Sequence, residues 1–76
     1  MIVISQDGER IVDCNEITRK GREIVGYVTA CPGCEFVVET FETEEEAVEI
    51  MKRVIRIIIR QIKADNAIVI NFSPIM

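Results

Sequence analysis

The chain has no histidine and no tryptophan, and aromatic residues make up only 5% of it. The lack of histidine removes the commonest general base, the commonest metal ligand and the usual pH switch. It also leaves Ser5, Ser73 and the threonines with nothing to activate a hydroxyl, which sets nucleophilic hydrolysis aside. With Tyr27, Phe36, Phe41 and Phe72 as the whole aromatic complement, the core has to be built from Ile and Val. Their branched side chains are stiff at χ1 and suit pleated surfaces, so the composition leans toward sheet. No apolar run approaches the roughly 20 residues of a membrane span. Basic residues are the minority, 9 against 13 acidic, for a net charge of −4. Such a surface repels phosphate backbones and argues against nucleic-acid binding. Cysteine is scarce and odd in number, three in all, and the apolar start Met1–Ile4 is broken at once by Ser5, Gln6 and Asp7, unlike a secretory signal. A reducing, cytoplasmic setting is the expectation.

What is present reads as one globular domain over residues 1–76, 49% apolar and 29% charged, near the lower size limit for folding on a core alone. Met1–Ser5 is a strand apolar on both faces, hence internal. Asp7-Gly8 is a turn signal, and Arg10–Cys14 resumes an extended pattern, so a first hairpin is expected. Asn15–Gly21 is polar and ambiguous, a short strand ending in a Lys20-Gly21 turn. Arg22–Ala30 is a further strand, with Ile24, Gly26, Val28 and Ala30 on one face and Val25, Tyr27 and Thr29 on the other. Gly26 in its middle signals a bulge or a close backbone approach. Glu35–Phe41 alternates again.

At Thr43 the pattern changes to that of a helix. Thr43 is an N-cap and Glu46 completes a capping box. Glu44, Glu45 and Glu46 sit where the helix dipole favours negative charge, and Lys52, Arg53, Arg56, Arg60 and Lys63 load the other half. Ala47, Met51, Val54, Ile58 and Ile62 form one stripe. Asp65-Asn66 ends the helix, with Asn66 as the left-handed cap. Ala67–Phe72 is a final strand before Pro74. The order predicts an α+β fold: a mostly antiparallel sheet of about 4–6 strands, one long helix over about 44–63 packed on one face, and a C-terminal strand.

The opening "MIVISQDG" and the helix start "TFETEEEAVEIM" resemble a group of small uncharacterised proteins from Gram-positive bacteria and their phages. Ser5, Gln6 and Asp7 match the opening of that group, and Thr43, Glu45 and Ala47 match its helix start. The likeness covers about residues 1–55. It implies a fold and no catalytic residue, since the group has no assigned activity; the CPGC stretch and the tail after Asp65 depart from its pattern.

The stretch from Cys31 to Cys34, Cys-Pro-Gly-Cys, admits three readings. Structural zinc usually takes four Cys or His ligands, and Cys14, Cys31 and Cys34 supply three, so a fourth has to be a carboxylate or come from another chain. A dithiol catalyst needs a helix N-terminus to depress the thiol pKa, but "EFVVETF" follows as a strand, and Glu35 next door opposes a thiolate. The favoured reading is a hairpin tip. Proline fixes φ, which excludes primed turns, and glycine second favours type II.

The remaining constellations are weaker. The carboxylates of Glu42–Glu46 lack the spacing and glycine of a calcium loop. The basic edge of Arg53, Arg56 and Arg60 reads as a solvated face supported by Glu49–Arg53 pairing. More informative is the breadth of the helix. Its apolar positions cover about 200°, whereas one sheet face needs somewhat more than 100°. The surplus is Ile50 and Ile57 on one flank with Ile55 and Ile59 on the other. Large exposed apolar patches mark partner surfaces, so Ile50, Val54, Ile57 and Ile58 are expected at an interface. The expected function is a non-catalytic, self-associating interaction protein, most simply a two-fold dimer with room for a further protein partner. The alternative is a zinc or redox module built on Cys14, Cys31 and Cys34. No other cofactor is expected.

Overall fold

A computed structural model describes residues 1–73; Pro74, the expected stop after the last strand, lies outside them. The elements are β1 (Ile2–Ile4), β2 (Ile11–Lys20), β3 (Glu23–Val28), β4 (Glu35–Thr40), α1 (Glu44–Lys63) and β5 (Val69–Asn71). They form a five-stranded sheet in the order β4-β3-β2-β1-β5 with the helix against one face. Three neighbouring pairs are antiparallel and β5 runs parallel to β1. The chain thus has the α+β architecture its pattern predicts.

The polar stretch after Cys14 is not a separate short strand. It continues β2 past a register shift between Cys14 and Glu16. One half of β2 pairs with β1 and the other with β3, so this irregularity lies where the strand changes partners. A second shift lies in β4, opposite Ile24 and Val25. Gly26 therefore marks neither irregularity. Its missing side chain makes room for others: a Cβ there would sit 2.9 Å from the Phe36 ring edge and 3.0 Å from the Cys14 sulfur.

The turn after β1 explains the Ser-Gln-Asp-Gly opening in structural terms. Ser5 is buried; its hydroxyl donates to the Asp7 carboxylate and accepts from the Arg10 amide at 3.2 Å. The Ser5 hydroxyl first, then the Glu9 amide, hold the Asp7 carboxyl below its usual range. Gly8 takes a positive φ of 72°. The Gln6 amide donates to the Val38 carbonyl at 3.0 Å, so this turn latches the edge of β4 at the far side of the strand order.

The helix begins as expected: Thr43 is extended, and its hydroxyl accepts from the Glu46 amide at 3.2 Å. The reciprocal contact differs from a capping box, because the Thr43 hydroxyl donates to the Glu46 carboxylate. The expected Glu49–Arg53 pair is replaced by Glu49–Lys52 at 3.5 Å. At the other end the left-handed residue is Asp65 (φ 58°), not Asn66. The Asp65 amide donates to the Ile62 carbonyl and the Asn66 amide to the Gln61 carbonyl, both at 3.0 Å. This is the paired-bond ending in which an αL residue follows the last helical one.

The core joins Val3, Cys14, Ile24, Phe36, Val38, Phe41 and Ala47, with Met51 and Phe72 packed against it. Val54 and Ile70 are also buried. Val54 is therefore a core residue, which corrects its expected place at an interface. Ile62 is a second correction. It belongs to the expected buried stripe yet is 60% exposed, because Gln61 takes the inward position. The Gln61 side-chain amide pairs with the Val69 backbone, accepting at 3.0 Å and donating at 2.9 Å. It thereby occupies part of the free edge of β5, where another strand would otherwise pair.

Candidate interaction surfaces and the cysteine turn

Among the expected interface residues, Ile50 and Ile58 are half-buried, Val54 is buried, and Ile57 is 37% exposed. Ile50 and Ile57 line a groove of about 420 Å³ between the helix and the chain itself, together with Glu39, Arg53 and Phe72. That flank faces Ile70 and Phe72 across the groove and is partly covered. Burial there pushes the Glu39 carboxyl above its usual value.

The other flank is open. Ile55 is 51% exposed and Ile59 47% exposed, and Ile62 extends the same side. At roughly 100° per residue Val48, Ile55, Ile59 and Ile62 fall within about 60° of one another, beside the buried stripe. The surplus predicted from helix width is real; Ile57 shows some of it on one flank, and most of it lies on the Ile55–Ile59 side.

A second apolar surface lies on the sheet face away from the helix. Ile2 pairs with Val69 and Ile4 with Ile11 in the ladders, which puts these side chains on one face. Ile11 is 71% exposed, Val69 is also exposed, and Ile2 and Ile4 are half-buried. β1 is internal in the strand order, but its outer face is not covered. An apolar pattern on both faces predicts burial of both, as in strands packed between two layers; here only the Val3 face is packed, and Ile2 and Ile4 line the outer face.

The cysteines separate into two environments. Cys31 and Cys34 are exposed, joined by a disulfide, with Cα atoms 5.4 Å apart. The Cys34 amide donates to the Cys31 carbonyl at 2.9 Å, and Gly33 has φ 86°. A positive φ at the third residue with that closing bond is the type II arrangement predicted for Pro32-Gly33. The turn is held by its backbone as well as by sulfur. Cys14 is buried in the core beside Gly26, and burial pushes its thiol pKa up. Among the described residues no group of three or more Cys, Asp or Glu side chains is placed to hold a metal ion.

Around the tip, Lys20 bonds Glu35 at 2.8 Å and lies 5.6 Å from the centre of the Tyr27 ring. Hydrogen bonding to Glu35, then to Tyr27, raises the lysine; Lys20 in turn lowers Glu35. The cluster ties β2, β3 and β4 together on the outer face and keeps Glu35 ionised near the cysteines.

The fold and these surfaces define a small α+β domain with two exposed apolar faces and a disulfide-closed hairpin tip. No protein-family model, curated protein or solved structure matches the chain. No helix among the described residues is long and apolar enough to cross a membrane.

Proposed function

We propose that this protein is a non-catalytic interaction domain that associates with a second copy of itself through the open flank of α1. The observation that carries the reading is the set of isoleucines at positions 55, 59 and 62, each about half exposed or more along one flank of α1. Fully burying an isoleucine side chain is worth about 1.5–3 kcal/mol, so covering the remaining half of three gives about 3 kcal/mol per copy. Two copies give about 4.5–9 kcal/mol, and the upper figure exceeds the lower end of association costs, about 4 kcal/mol, by about 5 kcal/mol. The expected dimer is accordingly modest in affinity and forms at high micromolar concentration. Sedimentation velocity from low to high micromolar tests it: a concentration-dependent dimer is expected, and Ile55→Glu should abolish it while keeping the circular dichroism of the fold. A wild type that stays monomeric throughout refutes the reading.

A redox or metal-binding role has one observation in its favour, the exposed and bonded Cys31–Cys34 pair. It has less support. The pair precedes a strand and not a helix N-terminus, Glu35 adjoins it, and Cys14 is shut in the core. Thiol titration and metal analysis of untagged protein separate the readings: stoichiometric zinc or iron would favour the second. A cytoplasmic location belongs to the first reading, and the turn's own backbone bond makes the tip compatible with either redox state.

A further inference from the structure

An exposed flank says that a partner fits there, but not how it lies. Resting on the self-association just proposed, we infer that two copies pair their α1 helices antiparallel about a two-fold axis passing beside Ile55.

The spacing of the stripe comes first. Val48, Ile55 and Ile62 recur at intervals of seven residues, with Ile59 between the last two. A seven-residue apolar repeat runs nearly parallel to the helix axis, so a second helix lies along it at a shallow angle. Neither glycine nor proline interrupts α1. Val48 and Ile62 lie equally far from Ile55 on either side. An antiparallel partner therefore sets Ile55 against Ile55 and Val48 against Ile62 at both ends, an arrangement that closes on itself.

Charge decides the direction. The first turn of α1 carries Glu44, Glu45 and Glu46, and the last turn carries Arg60 and Lys63. A parallel pair stacks acid on acid and base on base and aligns the two helix dipoles. An antiparallel pair sets each acidic first turn against the partner's basic last turn and opposes the dipoles. Glu45 and Lys63 border the stripe on its solvent side and come within a turn of each other across such a pair. Glu44 is bonded to Arg19 at 3.0 Å and Lys52 pairs with Glu49, whereas Glu45 and Lys63 have no salt-bridge partner within the chain among the described residues. They remain available for the crossing.

Cysteine cross-linking in a Cys31→Ser, Cys34→Ser background tests the arrangement, with two chains of different mass and mild oxidant. Ile55→Cys should link to itself. Ile62→Cys alone should not, but mixed with Val48→Cys it should give the heterodimer. Charge reversal adds a second readout: Glu45→Lys should weaken the dimer roughly three- to tenfold, two equivalent pairs being lost, and adding Lys63→Glu to the same chain should restore it. Self-linking of Ile62→Cys, or failure of the double reversal to restore, overturns the antiparallel arrangement. A dimer without any of these links overturns the arrangement while leaving self-association standing; a wild type that never dimerises overturns both.

Discussion

Gly26→Ala inserts a single methyl group into a tightly packed part of the core. The new Cβ would stand 2.9 Å from Phe36 Cε1, 3.3 Å from Phe36 Cζ and 3.0 Å from Cys14 Sγ. Normal carbon–carbon contact is about 3.5–4.0 Å, so the Phe36 ring has to shift and the Cys14 sulfur has to give by a few tenths of an ångström. Phe36 and Cys14 belong to the same packed cluster, and interiors at crystal-like density have little slack to absorb this. Overpacking of this kind typically costs about 1–3 kcal/mol. Against it stands a gain of up to about 1 kcal/mol from restricting the unfolded chain when glycine is replaced. The clash should win, for a net loss of about 1–2 kcal/mol. In a chain this short that lowers Tm by roughly 4–16 °C, out of a total stability of about 4–11 kcal/mol.

Urea denaturation at fixed protein concentration measures the loss, and a double-mutant cycle with Cys14→Ala assigns it. Removing the sulfur leaves a small void and is itself destabilising, yet it takes away one of the two clashes. The double variant should therefore be less destabilised than the sum of the singles by about 0.5 kcal/mol or more. Full recovery is not expected, because the Phe36 contact persists. If Gly26→Ala is neutral or stabilising, or the cycle is additive, then Gly26 is not where the sheet face and Phe36 compete for space.

Other expectations are more local. Asp65 holds a left-handed φ, so Asp65→Gly should stabilise the domain by about 0.5–1 kcal/mol; a loss in thermal melts would mean that the aspartate side chain matters more than its backbone. Replacing Cys31 and Cys34 by Ser, or reducing the pair, should leave the fold intact at a cost of at most about 2 kcal/mol, the loop-entropy figure for so small a ring. Loss of folding in that double variant would show that the sulfur bond, not the backbone turn, holds the tip. The lowered Asp7 carboxyl should contribute stability that is present above the ordinary carboxylate value and is lost as pH falls through its native value. The gap between wild type and Asp7→Asn in urea midpoints should then close on acidification, and a gap that widens would contradict the assignment. The raised Glu39 carboxyl works in the opposite sense: its contribution is present at low pH and fades as pH rises through its native value. Glu39→Gln should accordingly flatten the stability profile in that range.

The parts of this structure that could be read from sequence are those set by local chemistry. The cap at Thr43, the acidic first turn, the span of α1 and the Pro32-Gly33 turn all follow from residues adjacent in the chain, and all are found. What could not be read depends on which strand lies beside which. Nothing near Glu16 says that β2 exchanges β1 for β3 there, and nothing near Gly26 says that Phe36 and Cys14 fill the space its side chain leaves. The same limit explains Val54 and Ile62. Helical periodicity places both on one stripe, but the sheet stops supporting that stripe before the last turn, where Gln61 bonds the edge of β5 and leaves Ile62 outside. Periodicity measured how much apolar surface α1 carries in excess. Only the partial cover over Ile50 and Ile57, which face Ile70 and Phe72 across a groove, shows which flank is left more open, and that contrast moves the proposed interface to the side where Val48, Ile55 and Ile62 repeat along the helix. An isoleucine-to-glutamate change at position 57 therefore probes the groove and the chain's own stability. The same change at position 55 probes assembly, and contrasting the two separates a folding surface from a binding one.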